Sequence, residues 1–194
     1  MMPKFDLKKL FLTASSILLC VFITVNISTA AEKISYEVPK GVDLTDIING
    51  SAAHVETRSI YGKLYLPDNI QQKVPAVIIM HASGGVFDWR EISMAKRLNE
   101  SGIAAFIPYS FKARGIRKTK STKGTGTFFG TRVADACGAF KALQSLDQID
   151  GSRIGVMGYS SGGFASLLSI DKKVVRHLLG NDMKFAAHLN VYAS

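Results

Sequence analysis

Runs of apolar residues alternate along the chain with segments whose apolar positions follow helical spacing. Continuous apolar runs, typical of parallel strands buried on both faces, occur at "PAVIIMH" (75–81), "IAAFIPYS" (103–110), "RIGVMGYS" (153–160) and "FAAHLNVYA" (185–193). Helical spacing predicts helices at "WREISMAKRLNES" (89–101), "TRVADACGAFKALQSL" (131–146), from Ser161 onward and near "KKVVRHLL" (172–179). Strands that alternate with helices predict an α/β fold with a doubly wound, mostly parallel sheet and right-handed crossovers.

The ends of these elements carry local signals. Asp88, with Glu91 three residues later, predicts a capping box for the helix that Gly102 ends. The parity of the apolar residues in "TRSIYGKLYLP" (57–67) predicts an antiparallel strand pair or one long bent strand. Residues 41–56 show no sustained period, so they are predicted to form a surface loop with a short helical turn.

The first 31 residues have the composition of a targeting segment. Three lysines in "MMPKFDLKKL" precede the uncharged run "LFLTASSILLCVFITV", and small residues follow in "STAAE". This order predicts a secretory signal peptide over 1–31, cleaved after Ala30 or Ala31, and a periplasmic or secreted protein. The alternative is a retained signal anchor, although the run is short for a membrane span. After cleavage the remaining domain, 32–194, is expected to have no stable membrane span.

Positive charge is concentrated in one segment. The net charge of +9 includes a basic run comprising Lys112, Arg114, Arg117, Lys118, Lys120 and Lys123. The run lacks a helical stripe and an aromatic ladder, and an exported protein rarely meets nucleic acid, so nucleic-acid binding is not predicted. A solvated basic loop is the expectation, with contact to anionic envelope polymers or acidic substrates as the alternative.

Cysteine usage excludes an internal disulfide in the mature chain. Cleavage of the leader removes Cys20 and leaves Cys137 as the single thiol. Cys137 shares one helical face with Val133, Ala136, Phe140 and Leu143, which predicts a buried, unreactive side chain.

The segment "GYSSGG" (158–163) carries the strongest chemical signal. A nucleophilic hydroxyl at the end of a parallel strand needs a sharp strand-to-helix turn with small residues two positions before and after it. Gly158 and Gly162 satisfy this requirement for Ser160, whereas Tyr159 stands two positions before Ser161. Ser160 is therefore the candidate nucleophile, and the Ser161 amide is a candidate oxyanion donor. The alternative is a purely structural turn.

A second small-residue segment, "MHASGG" (80–85), ends an earlier strand. Its backbone amides can approach a substrate carbonyl from the other side, and the Ser83 amide, or otherwise that of Ala82, is the second candidate oxyanion donor. His81 as a catalytic base is a less favoured alternative. The glycines of "GTGTFFG" (124–130) lack the spacing of a phosphate-binding loop and predict only a flexible loop.

Four segments together resemble the dienelactone hydrolase family of the α/β-hydrolase superfamily: "HASGG", "YSFKARG", "TRVADACGAFKAL" and "RIGVMGYSSGG". The resemblance covers roughly residues 57–193 and implies hydrolysis of a small-molecule ester or lactone through an acyl-enzyme, with no metal or organic cofactor. Dienelactone hydrolases typically have a cysteine nucleophile and an acidic residue after the first histidine, where this chain has Ser160 and Ala82. These departures favour other esters over dienelactone itself.

The acid and histidine of a catalytic triad are not apparent. In this superfamily they follow the nucleophile, yet the chain after Ser160 offers only Asp171, His177, Asp182 and His188, none at a suitable position. We therefore expect a C-terminally truncated sheet, incomplete at that edge, and a nearly inactive chain. Two other functions stay open, a peptidase of the prolyl-oligopeptidase type and a non-catalytic module that binds envelope material. The oligomeric state is not predicted.

Overall fold

The computed structural model describes residues 31–116 and 125–192, which form a six-stranded sheet flanked by helices. The strands are β1 (Glu32–Pro39), β2 (Thr57–Tyr65), β3 (Val74–Met80), β4 (Ala104–Pro108), β5 (Ile149–Tyr159) and β6 (His188–Val191), in the spatial order β1-β2-β4-β3-β5-β6. Strands β4, β3, β5 and β6 run parallel, whereas β2 pairs antiparallel with both β1 and β4. The predicted α/β fold with a doubly wound, mostly parallel sheet is confirmed.

Helices cover both faces of the sheet. They are α1 (Leu44–Asn49), α2 (Ser93–Glu100), α3 (Thr125–Gln144), α4 (Ser161–Leu168) and α5 (Lys172–Leu179). Successive strand residues point to opposite faces. Ile78 and Phe106 accordingly belong to the larger core, with residues of α1, α3, α4 and α5, while Ile79 and Ile107 pack in a smaller core with Ala95 of α2. Continuous apolar runs are thus required in the central strands.

The antiparallel half of the sheet differs in part from the sequence prediction. Residues 57–67 contain one strand, β2, which pairs with β1. The sequence predicted no element at residues 32–39, where β1 lies. Gly62 lets β2 pass close to β4, since a Cβ at Gly62 would lie 2.2 Å from the Phe106 ring. Residues 41–56 hold α1 and a short 3₁₀ helix. Helix α1 begins with a capping box, in which the side chains of Asp43 and Asp46 each accept a hydrogen bond from the other residue's backbone amide.

The capping box predicted at Asp88 is wrong. The helical segment begins after Phe87, which occupies the cap position in place of Asp88. It starts as a π-helical turn, Asp88–Ile92, and continues into α2. The buried Glu91 carboxylate accepts hydrogen bonds from the Phe87 amide at 2.8 Å and from Arg90 Nε at 2.7 Å. Helix α2 ends before Gly102, whose φ of +74° supplies the predicted helix stop.

Part of the glycine segment 124–130 is helical and not a loop as predicted. Helix α3 begins at Thr125 and includes Gly126 and Gly130, while Gly124 lies outside the described residues. A Cβ at Gly130 would lie 2.4 Å from the backbone carbon of Asp43, so glycine lets α3 pack directly against the start of α1.

Two predictions about charge and targeting fall largely on residues outside the described ranges. Residues 1–30 and 117–124 lie there, including Arg117, Lys118, Lys120 and Lys123 of the basic run. Arg114 departs from the prediction of a solvated loop: its side chain is 9% exposed and forms a paired hydrogen bond with Asp135 at 2.6 and 2.8 Å. Within residues 31–116 and 125–192, the helices lack the length and apolar character needed to span a bilayer.

The predicted burial of Cys137 is confirmed. Its helical face, formed with Val133, Ala136, Phe140 and Leu143, lies in the larger core, and burial raises the pKa of the thiol to about 12. Because the thiolate is the reactive species, iodoacetamide near neutral pH is expected to leave Cys137 unmodified in the native protein and to alkylate it after unfolding in urea. Peptide mapping by mass spectrometry checks this, and stoichiometric native alkylation would contradict it.

Candidate active site

Ser160 lies at the turn between β5 and α4. Its φ of +49° and ψ of −119° are sparsely populated by residues other than glycine, so the backbone there is strained. The turn is held on both sides: the Ser160 amide donates to the Val191 carbonyl at 3.0 Å, and the Ser160 carbonyl accepts from the Phe164 amide at 3.1 Å. Ser160 is partly exposed.

Backbone contact explains the two glycines around Ser160. A Cβ at Gly158 would lie 2.1 Å from the backbone of Gly162, and a Cβ at Gly162 would lie 2.1 Å from the Met80 carbonyl oxygen. The His81 carbonyl oxygen would be 2.8 Å from the same Gly162 Cβ. The turn after β5 therefore packs against the end of β3, with only main-chain atoms between them.

Ser161 is the first residue of α4 and is buried. The first amides of a helix have no acceptor within the helix, and the helix dipole places partial positive charge there. The Ser161 hydroxyl is also buried and has no hydrogen-bond partner among the described residues. This end of α4 can accommodate negative charge beside Ser160.

Residues 81–85 form the loop that follows β3, which we call the first loop. Met80 pairs with Gly158 in the parallel register of β3 and β5, so this loop and the Ser160 turn lie at the same edge of the sheet. The Ala82 carbonyl accepts from the Gly85 amide at 3.0 Å, closing a turn, and Gly85 has a φ of +92°. Ser83, at the tip of the turn, is exposed.

A cavity of about 610 Å³ lies beside the first loop. Its walls combine loop residues with aromatic and apolar side chains and two charges; they include Gly84, Gly85, Val86, Asp88, Tyr109, Phe111, Lys112 and Ile116. Ser160 is not among the lining residues. The volume is within the range of small-molecule sites.

A model of the dienelactone hydrolase family matches residues 60–178, more than half of the chain. The chain belongs to the dienelactone hydrolase family. Among solved structures it is similar to m3DLH, at 18% identity with a TM-score of 0.52, over 76% of this chain and 54% of the other. It is also similar to a bacterial heroin esterase, at 17% identity with a TM-score of 0.54, over 94% and 49% of the two chains.

These structural similarities show the α/β-hydrolase fold, and this member of the dienelactone hydrolase family spans about half the length of the two solved chains. None of the curated protein sequences compared with it matches the chain. The matched segment contains both the first loop and the Ser160 turn.

The structure gives the four candidates for acid and histidine other surroundings. Asp171 caps α5 by accepting from the Lys173 amide at 2.8 Å, and His177 Nε2 accepts from Arg176 Nε at 3.0 Å. His188 lies on β6 in an edge-to-face contact with the Phe185 ring, and burial lowers the pKa of His188. Asp182 lies in the segment between α5 and β6. Among the described residues, no three His, Cys, Asp or Glu side chains are grouped as a metal site.

His81 is held at both ring nitrogens. Arg132 can only donate, so its Nη1, 3.3 Å away, makes His81 Nε2 the acceptor, and Nδ1 then donates to the Ala82 carbonyl at 2.7 Å. Burial, reinforced by the Arg132 charge, lowers the pKa of His81 well below its ordinary 6.5. A neutral ring with both nitrogens engaged is poorly suited to accept a proton from Ser160.

The pKa of His81 predicts a pH-dependent contribution to stability. Because the folded state disfavours the protonated ring, the contribution is complete above pH 6.5 and declines below it. As the pH decreases below 6.5, the difference in unfolding free energy between the wild type and His81→Gln is expected to decrease by up to about 1.4 kcal/mol per pH unit. Urea unfolding between about pH 7.5 and about pH 5 measures this, and a pH-independent difference would contradict it.

Proposed function

We propose that the protein hydrolyses small-molecule carboxylic esters or lactones through an acyl-enzyme on Ser160. The observation that carries the proposal is the strained turn at Ser160, which Gly158 and Gly162 hold in main-chain contact with the end of β3. Such a turn presents a hydroxyl at the edge of the sheet where two sets of backbone amides meet.

The chemistry proceeds in two steps. Ser160 Oγ attacks the carbonyl carbon, its proton passes to a base, and the carbonyl oxygen becomes an oxyanion that accepts from the Ser161 and Ser83 amides. The C–O bond to the alcohol then breaks, and the alcohol leaves with a proton. Water attacks the acyl-enzyme in the same manner and releases the acid. No step draws on a metal or an organic cofactor.

The substrate is proposed to enter the cavity beside the first loop, where Val86, Tyr109, Phe111 and Ile116 offer apolar surface to an acyl or alcohol group. The serine nucleophile and Ala82 distinguish this member from relatives with a cysteine and an acidic residue at those positions, which favours esters other than dienelactone. We also propose that the protein is exported after removal of residues 1–31, which the amino-terminal sequence of the mature protein tests directly.

The base is proposed to come from residues outside the described ranges, because His81, His177 and His188 have other surroundings and His54 lies in the 3₁₀ helix that packs with α1 and α5. The 194-residue chain should then turn esters over slowly. A triad that lacks its base retains only a small part of its rate, with losses of about 10⁴ to 10⁶ in enzymes of related chemistry on other folds.

The test compares the 194-residue chain with the same chain extended to the end of its reading frame. Turnover of p-nitrophenyl acetate and butyrate by the extended protein, with little by the shorter one, supports the proposal. Equal rates would refute the placement of the base. Preferential cleavage of aminoacyl p-nitroanilides would favour a peptidase, and salt-sensitive polymer binding without turnover would favour a binding module.

A further inference from the structure

Arg132, on α3, is a buried guanidinium that reaches the first loop. Its Nη2 donates to the His81 carbonyl and its Nη1 to His81 Nε2, and its side chain lies over the Phe111 ring at 5.2 Å. Within the described residues it forms no ion pair, since the nearby Asp135 carboxylate is bound by Arg114. Although burial lowers its pKa to about 10, Arg132 carries its charge at neutral pH.

A buried charge without an ion pair costs folding free energy, so an ordinary stabilising role does not explain Arg132 well. Among the residues that the structure describes, both hydrogen bonds of Arg132 go to His81, at the point where β3 ends. The hydrogen bonds of Arg132 to described residues are therefore made to the first loop, 51 residues away in sequence.

The hydrogen bonds of Arg132 set the direction of two amides in the first loop. In a planar trans peptide, the carbonyl and the following N–H point in opposite directions. A His81 carbonyl held by Arg132 therefore turns the Ala82 N–H away from α3. The His81 ring, held at Nε2 by Arg132, donates from Nδ1 to the Ala82 carbonyl. Because this carbonyl and the Ser83 N–H belong to one planar peptide, the bond also sets the direction of the Ser83 N–H.

Arg132 also contacts an atom that packs against the Ser160 turn. Gly162 of α4 packs against the Met80 and His81 carbonyl oxygens, and the His81 oxygen is the one that accepts from Arg132. A shift of this carbonyl would change the separation between the first loop and the start of α4. Both proposed oxyanion donors depend on that separation.

We infer that Arg132 is a positioning residue for the oxyanion hole, which holds the first-loop amides in the direction needed in the transition state. This inference rests on the proposed function. The positive charge of Arg132, buried behind the first loop, additionally favours the developing oxyanion. The substrate in its ground state gains little from either effect, so Arg132 should influence kcat more than KM.

The experiment uses the chain extended to the end of its reading frame. Arg132→Met should lower kcat for p-nitrophenyl butyrate by about 10²-fold, comparable to loss of one oxyanion donor, with KM changed less than about threefold. Affinity for a trifluoromethyl ketone, which forms an oxyanion on the enzyme, should fall by a similar factor. Arg132→Lys, which keeps the charge and can donate to one His81 acceptor, should recover part of both losses.

Val133→Ala is the matched control for stability, because it removes buried volume from the same helix in the larger core, whereas Ala82 of the first loop belongs to the smaller core. It should lower the melting temperature and leave kcat unchanged. Unchanged kcat and ketone affinity in folded Arg132→Met, or equal losses in Val133→Ala, would overturn the inference.

Two further readouts keep the inference testable. If Arg132→Met fails to fold, nitrogen NMR of the His81 ring in the wild type tests the inference instead. Because Arg132 donates to Nε2, that nitrogen must be unprotonated and Nδ1 must carry the proton. A protonated Nε2 would overturn the inference. A wild type without esterase turnover and without labelling at Ser160 would instead refute the proposed function itself, so the two failures are distinguishable.

Discussion

Replacing Ser160 by alanine is expected to lower kcat/KM for p-nitrophenyl butyrate by about 10⁴- to 10⁶-fold in the protein extended to the end of its reading frame. The loss is large because no acyl-enzyme can form without the hydroxyl, and only binding and oxyanion stabilisation of a water attack remain. Initial rates at low substrate concentration measure kcat/KM directly. The melting temperature should be nearly unchanged, since Ser160 is a partly exposed residue and the change removes one hydroxyl.

Ser152→Ala is the matched control for this substitution. Ser152 lies on the same strand, β5, at an exposed position near its start, where its hydroxyl donates to Asp150. Its replacement should leave turnover within about twofold of the wild type, as expected for a surface position. A Ser160→Ala variant with more than a tenth of wild-type activity would contradict the assignment of the nucleophile.

Replacing Gly158 by alanine is expected to produce the second largest effect. The new Cβ would lie 2.1 Å from the Gly162 backbone, and main-chain atoms cannot move aside as a flexible side chain can. Overpacking of this kind costs about 3 kcal/mol or more, which corresponds to a fall of roughly 6 to 12 °C in melting temperature. A displacement of about 1 Å at Ser160 should lower kcat by about 10²-fold.

Gly155→Ala is the appropriate comparison, because it places the same methyl group on the same strand three residues earlier. There the nearest atom, the Ala187 carbonyl oxygen, would be 3.3 Å from the new Cβ, which a small adjustment relieves. Thermal unfolding and kcat of the two variants are measured side by side. Equal, small effects at both positions would contradict the close packing of the Ser160 turn against α4.

The central strands and the Ser160 turn could be predicted because their causes are local in sequence. Apolar runs such as 75–81 and 103–110 identify strands buried on both faces, and Gly158 and Gly162 identify a turn with no room for side chains. The parity of neighbouring residues then fixes which face each side chain covers.

Features that depend on distant partners could not be predicted in this way. Strand β1 pairs along one side with β2, and its alternation of exposed and buried residues over eight positions is a weaker signal than a continuous apolar run. Asp88 has the sequence spacing of a cap, but burial of Glu91 against Arg90 shifts the start of the helical turn to Phe87. Local propensity contains no information about that burial.

Arg132 shows the same limit for the candidate site. A single arginine in a helical segment is normally assigned to the surface, because charged side chains are seldom fully buried. Its partner His81 is 51 residues earlier, and only the packing of α3 beneath the end of β3 brings the two together. The sequence thus indicates the nucleophile, whereas the residue that supports the first loop is apparent only in the structure.

The site of covalent modification by a fluorophosphonate tests Ser160 as the nucleophile directly. The extended protein is treated with the reagent, digested, and mapped by mass spectrometry. We expect one adduct, on Ser160 in the peptide that contains "GYSSGG", and no adduct in Ser160→Ala. This is the result that a nucleophilic Ser160 requires. An adduct on Ser161 or on another residue, or no adduct in a protein that cleaves esters, would contradict it.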